Sequence, residues 1–284
     1  MPDIPIVDTH LHLWNPALIP YPWLEENELL NKPYLLEDYA RAFTSTSIEA
    51  MVFVQCEARF DRYLDEAAWA ADQARIDPRI KAMVAWAPLD KGTAVREDLE
   101  RLARHAILRG IRRIIQFEED IDFCLRPSFV EGVRTLSEYG LSFDICIDHR
   151  HMANILRFVE QVPDFPLILD HIGKPDIRSG TMEPWASQMR ELAQHPNVLC
   201  KISGVATEAH ADWTPADLHP YLDVAFEVFG FERTMFGGDW PVTLQAVRPE
   251  RWIALLDSYL QHATSAELRA FWRDNAIKTY RIAP

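Results

Sequence analysis

Eight short apolar runs alternate with longer amphipathic stretches along nearly the whole chain, and this alternation does most to limit its fold. The runs cover residues 4–9, 50–55, 81–86, 111–116, 142–147, 167–171, 198–202 and 234–238. Each is rich in Ile, Val, Leu, Phe or Met and too short for a typical helix, so each reads as a strand. Helical spacing predicts segments at 36–43, 63–74, 97–105, 128–139, 152–162, 185–194, 215–229 and 249–262. In the third, Leu99, Leu102, Ala103 and Ala106 form one apolar stripe. A last helix over 265–280 opens on Ser265 as its N-cap. Eight such units predict an α/β protein whose parallel strands close into a (β/α)8 barrel. The competing doubly wound sheet would carry a Gly-rich turn after its first strand. This chain continues instead as D-T-H-L-H-L-W-N. With no linker or repeat to mark a boundary, one domain is expected over residues 1–284.

Composition excludes some functions. The 284 residues carry a formal net charge of -14, which argues against gripping nucleic acid. No stretch is apolar for long enough to cross a bilayer, and the N-terminus has no basic leader. Cys56, Cys124, Cys146 and Cys200 lie far apart, so buried free thiols in a reducing cytoplasm are expected rather than disulfides or a thiolate zinc site. The partner is expected to be a small molecule, and the sequence leaves oligomeric state open.

In a barrel, chemistry sits at the carboxyl ends of the strands. The first strand runs into His10 and His12, two residues apart, so both can face the axis and offer half a metal site. A second H-x-H, His149-Arg150-His151, follows strand five, and which of its imidazoles points inward is open. Strand six ends in His171, before Gly173, Lys174 and Pro175. Strand eight ends Gly237-Gly238-Asp239-Trp240, where the glycines would let the backbone approach a ligand and Asp239 could bind metal or take a proton from water. Lys201 in strand seven should aim its ammonium into the barrel mouth and hold an oxyanion. Asp144 and Asp148 share a face if strand five stays regular. Trp14, Tyr21, Trp23, Trp86 and Trp240 would wall a ring-shaped ligand, with Gln55, Glu57, Arg59 and Gln116 reading its polar groups. His105, His195, His210, His219 and His262 read as surface residues.

D-T-H-L-H, L-D-H-I-G-K-P and F-G-G-D-W-P, in this order and spacing, resemble the amidohydrolase superfamily, and most of all its sugar-lactonase branch. The resemblance implies hydrolysis of an aldonolactone to the hydroxy acid, with Asp239 as base or proton shuttle and His171 as the strand-six histidine. It implies that His10 and His12 bind metal in some members and substrate in others. Strand four ends Ile114-Ile115-Gln116, without the bridging lysine or glutamate of two-metal relatives. The resemblance then implies either one divalent ion, zinc by preference, held by His10, His12 and Asp239 with one further histidine, or an enzyme that works without metal. A non-catalytic binding barrel stays open, although the titratable groups expected at the strand ends argue against it, and so do two other enzyme readings. One is a metal-dependent decarboxylase of a small unsaturated or aromatic acid, and the other a hydrolase of an anionic pyrone or muconolactone. Both would need Arg59, Arg112, Arg113 or Arg150 turned into the site.

Overall fold

The computed structural model describes residues 2–283. Its eight strands form one parallel sheet in the order β1 to β8: Ile6–Leu11, Ile48–Val54, Ile80–Ala85, Leu108–Arg112, Ser142–Ile145, Leu167–Leu169, Val198–Ile202 and Thr234–Phe236. The ends meet where the His12 N–H donates to the Trp240 carbonyl (2.8 Å) and Leu11 bridges Trp240, closing a (β/α)8 barrel. Helices α1 to α8 (Leu36–Ala42, Tyr63–Ile76, Arg96–Leu102, Pro127–Thr135, Met152–Val159, Trp185–Leu192, Pro215–Phe229 and Pro249–Tyr259) follow the strands in turn. No helix among the described residues is long and apolar enough to cross a membrane. All four cysteines are buried and unpaired.

Two apolar layers hold the barrel. Val7, Val52, Val54, Ala82, Val84, Ile168 and Met235 meet in one cluster, joined by Ala276 and Tyr280 of the C-terminal helix, while a larger cluster packs the sheet against the helices. Two sequence expectations shift here. Strand four begins and ends about three residues early, because Arg112 is swallowed whole and hides the strand's true register from a hydropathy reading. The last helical stretch is capped by Thr264, not Ser265: its Oγ1 accepts from the Glu267 N–H (3.3 Å), and Glu267 reaches back to the Thr264 N–H (2.7 Å).

One buried carboxyl lies in this packing rather than in the site. Glu66 of α2 is 2% exposed and accepts the Cys56 N–H (3.0 Å). Burial pushes its carboxyl from 4.5 up to about 8. The folded-state value is the higher one, so the stability it contributes is fully present below about pH 4.5 and is lost as pH rises through about 8, on the order of 4 kcal/mol in all. Glu66→Gln should therefore nearly match the wild type at pH 5 and exceed it by about 4 kcal/mol near pH 9 in urea unfolding. Parallel curves at both pH values would mean that the carboxyl is ionised in the fold.

Candidate active site

The β1 register places both strand-one histidines inside. Asp8 pairs with Met51 but Leu11 pairs with Phe53, so β1 carries one residue more than β2 there. This bulge lets both Val7 and His10 face the interior, against strict alternation. The rings of His10 and His12 lie 4.8 Å apart, and that of His171 lies 4.5 Å from His10. Asp239 completes the group, with its Oδ1 3.5 Å from His12 Nε2 and 3.7 Å from His10 Nε2.

His171 and Asp239 both sit in left-handed backbone, at φ 54° and 51°. Non-glycine residues adopt this region at a cost and tend to do so where a site demands it. Here the turn swings each side chain inward just past its strand. Gly204, at φ 60°, closes the arrangement: a Cβ there would fall 2.6 Å from His171 Nδ1 and 2.9 Å from Asp239 Oδ2. Gly204→Ala should displace both groups and lower kcat by about 10²-fold, which steady-state rates on a hydrolysed lactone will check. A rate within twofold of wild type would mean that the site absorbs the methyl without moving.

Burial raises the Asp239 carboxyl, but the surrounding imidazoles of His171, His12 and His10 outweigh it and hold the group below the usual carboxylate range. Burial also lowers all three imidazoles, His171 to about 4, so each is neutral at neutral pH. The tautomers follow from the outer partners. His12 Nδ1 donates to the Val54 carbonyl (2.8 Å), leaving an Nε2 lone pair turned toward Asp239. His10 Nε2 accepts from Arg112 (3.0 Å). Ser203 Oγ holds His171 Nδ1 at 2.9 Å.

These groups end a cavity of roughly 300 Å³. Its buried part is made by His12, Trp14, Arg112, His171 and Asp239, and its rim by Trp23, Phe117, Lys174, Glu208 and Gln245. Gln116, expected to read polar groups, does line it.

Other expected ligands lie elsewhere. Lys201 is fully buried below the cavity, bonded to Asp144 (2.5 Å) and Asp170 (3.0 Å), with His10 Nδ1 at 3.4 Å. Burial disfavours its ammonium, but the two carboxylates outweigh that and raise its pKa well above 10.5. Lys201 and Asp144 are thus an ion pair inside the barrel, not groups in its mouth. Trp240 packs between Tyr34 and Tyr39, and Trp86 between Phe60 and Tyr63. Gln55 gives its carbonyl to Arg112 (2.6 Å) and its amide to Glu57 (2.8 Å). His151 is buried against Asp148, and His149 rests on the Lys174 carbonyl. The paired glycines approach protein rather than ligand: a Cβ on Gly238 would meet Asp8 Oδ2 at 2.6 Å, and the Gly238 N–H donates to Asp8 Oδ1 (2.8 Å).

Sequence reasoning gave no role to Asp170, Ser203, Gly204, Lys174 or Glu208. Asp170 had a signal, a carboxylate directly after an apolar run and next to His171. Glu208 sits on a loop with no pattern of its own.

The two imidazoles and the carboxylate of His10, His12 and Asp239 lie within 4.8 Å of one another. This donor set suits zinc, and the facing lone pairs of His12 Nε2 and Asp239 Oδ1 call for a proton or a cation between them. Arg112 already occupies the His10 Nε2 lone pair, so His10 is the weakest of the three as a ligand.

Known proteins agree with this geometry. An L-fucono-1,5-lactonase from Burkholderia multivorans is 32% identical over 97% of this chain and 96% of its own. An L-rhamnono-gamma-lactonase from Scheffersomyces stipitis is 26% identical, with 98% of each chain covered. A crystal structure of an amidohydrolase from Burkholderia multivorans with bound zinc superposes with a TM-score of 0.90, at 29% identity over 98% of this chain and 100% of that one. The Amidohydrolase family model (Amidohydro_2) matches residues 7–282, and the chain belongs to that family of hydrolytic enzymes.

Proposed function

We propose that this chain opens a neutral sugar lactone (an aldonolactone) to its hydroxy acid, and that residues 1–284 act as one catalytic unit. The observation that carries the reading is the ionised Asp239 at the buried end of a polar-ended cavity, ringed by neutral imidazoles. Asp239 takes a proton from water as the oxygen attacks the ring carbonyl. His171, in the cavity wall beside Asp239, would stabilise the oxyanion, which is usually the largest catalytic contribution. As the intermediate collapses, the ring oxygen leaves and takes the proton back from Asp239. A divalent ion held by His12, Asp239 and His10 would polarise the same carbonyl. The lactonase names of the relatives support the substrate class.

Charge favours a neutral substrate over the anionic ones. Arg59 pairs with Asp61, Arg112 with Asp170, Arg113 with Glu118 and Arg150 with Asp148, while the rim carries one charge of each sign, Lys174 and Glu208. A decarboxylase or pyrone hydrolase would need such a guanidinium turned to the ligand.

The test is acid release from a panel of L- and D-aldonolactones, read with a pH indicator on as-purified and chelator-stripped enzyme. Fast release is expected on at least one 6-deoxy sugar lactone. Survival after stripping would make His10 and His12 part of the oxyanion and water site, and loss restored by zinc would make them metal ligands. Silence on every lactone in both preparations, with CO2 released from an aromatic acid, would overturn the reading.

A further inference from the structure

A second cavity opens beside the first. It holds roughly 280 Å³ and is walled by Pro22, Trp23, Ala58, Arg59, Phe60 and Phe117. Trp23 and Phe117 line both cavities, so the two are immediate neighbours. The first ends in imidazoles and carboxylates, whereas the wall of the second is almost wholly apolar.

The charged residues at this annex face away from it or are neutralised. Glu57, also in its wall, has its carboxylate on the Gln55 amide (2.8 Å), and Arg59 is clamped by Asp61 (2.6 Å). Two of the three aromatic walls are fixed in place. The Trp23 indole N–H is anchored on the Cys56 carbonyl (2.7 Å), and Phe60 is stacked on Trp86 at 5.2 Å and 17°. Yet these walls are left to water, with Phe117 72%, Phe60 56% and Trp23 38% exposed. Single exposed aromatics are ordinary, but three around one preformed concavity mark a binding surface.

We propose that this annex is a second subsite, which takes an apolar alkyl or aryl substituent carried by the lactone whose ring sits against Asp239. The proposal rests on the lactone reading above and narrows its substrate class to lactones with an apolar tail. The two walls shared with the catalytic cavity, Trp23 and Phe117, argue for the substrate's own tail as occupant rather than a separate partner.

The test compares a 6-deoxyaldonolactone with the same lactone carrying n-hexyl in place of its methyl group. Each fully buried methylene is worth about fourfold, so half-burial of five predicts about a 30-fold higher kcat/KM for the hexyl compound. Phe60→Ala, whose ring is half exposed, should bring the hexyl-to-methyl ratio most of the way to one. A wild-type ratio near one, or a ratio unchanged by Phe60→Ala, overturns the subsite. Calorimetry with the corresponding tetrahydropyrans, which have no scissile ester, gives the same comparison without turnover. A hexyl preference there with no hydrolysis of either lactone would support the annex while refuting the lactonase reading. Equal affinities would refute the annex alone. A dimer in light scattering that Phe60→Arg dissociates would assign this face to a second copy of the chain and overturn the proposal.

Discussion

Asp239→Asn should lower kcat by about 10³-fold or more while leaving the thermal midpoint within a few degrees of wild type. General-base catalysis contributes about 10²- to 10⁴-fold, and the proposed mechanism uses one carboxylate for both the attack and the departure. Asparagine keeps the shape and can accept a hydrogen bond, but it cannot take a proton from water. It is also among the few residues that tolerate the left-handed backbone at this position, φ 51°, so the loop should not rearrange. Rates from indicator assays, paired with thermal unfolding, check both halves. A rate within tenfold of wild type would remove Asp239 from the proton transfers. A collapsed midpoint would mean that its contacts with His12 and His10 hold the loop together.

Lys201→Met should instead destabilise the fold, by about 3–5 kcal/mol. The barrel interior holds a balanced quartet, Lys201 and Arg112 against Asp144 and Asp170, with all four buried. Burial raises Asp144 to about 6 even beside Lys201, so its ionised form depends on that partner. Removing the ammonium strands Asp144 and leaves Asp170 with Arg112 alone. For a chain of this size the loss corresponds to a fall of about 10 °C in the midpoint. Lys201→Met with Asp144→Leu removes both charges and should recover most of it, because an apolar pair can replace a buried ion pair at little cost. A double variant no more stable than the single one would mean that Lys201 stabilises by packing. An unchanged midpoint with a large fall in kcat would return Lys201 to the oxyanion.

Residues that announce themselves by sequence position were legible. His10 lies near the end of an apolar strand and His12, His171 and Asp239 just beyond one, and barrel topology then brings those strand ends together. The alternation of runs likewise made the eight-stranded closure legible, because strands buried on both faces leave a continuous apolar trace. What stayed hidden depends on partners far along the chain. Lys201 reads as a lysine at a strand end, and only its contact with Asp144, 57 residues away, makes it part of the interior. Arg112 reads as one of several arginines until His10, 102 residues away, is seen to accept a hydrogen bond from it. The Gly-Gly before Asp239 suggested a ligand, whereas its close neighbour is Asp8, 230 residues upstream. The β1 bulge has no sequence mark, although the placement of His10 depends on it.

The left-handed turns at His171 and Asp239 set this enzyme's catalytic centre against its own durability. Each residue would be relaxed by glycine, which adopts that backbone without the 1–2 kcal/mol cost borne by a side chain. A laboratory selection that rewarded heat resistance alone would be free to relax these two turns, as it would those at Glu57, Ile172, Lys174 and Arg281, and at His171 and Asp239 it would do so at the expense of the proposed chemistry. Any programme to harden this protein has to score turnover in every round, or hold both positions fixed from the start.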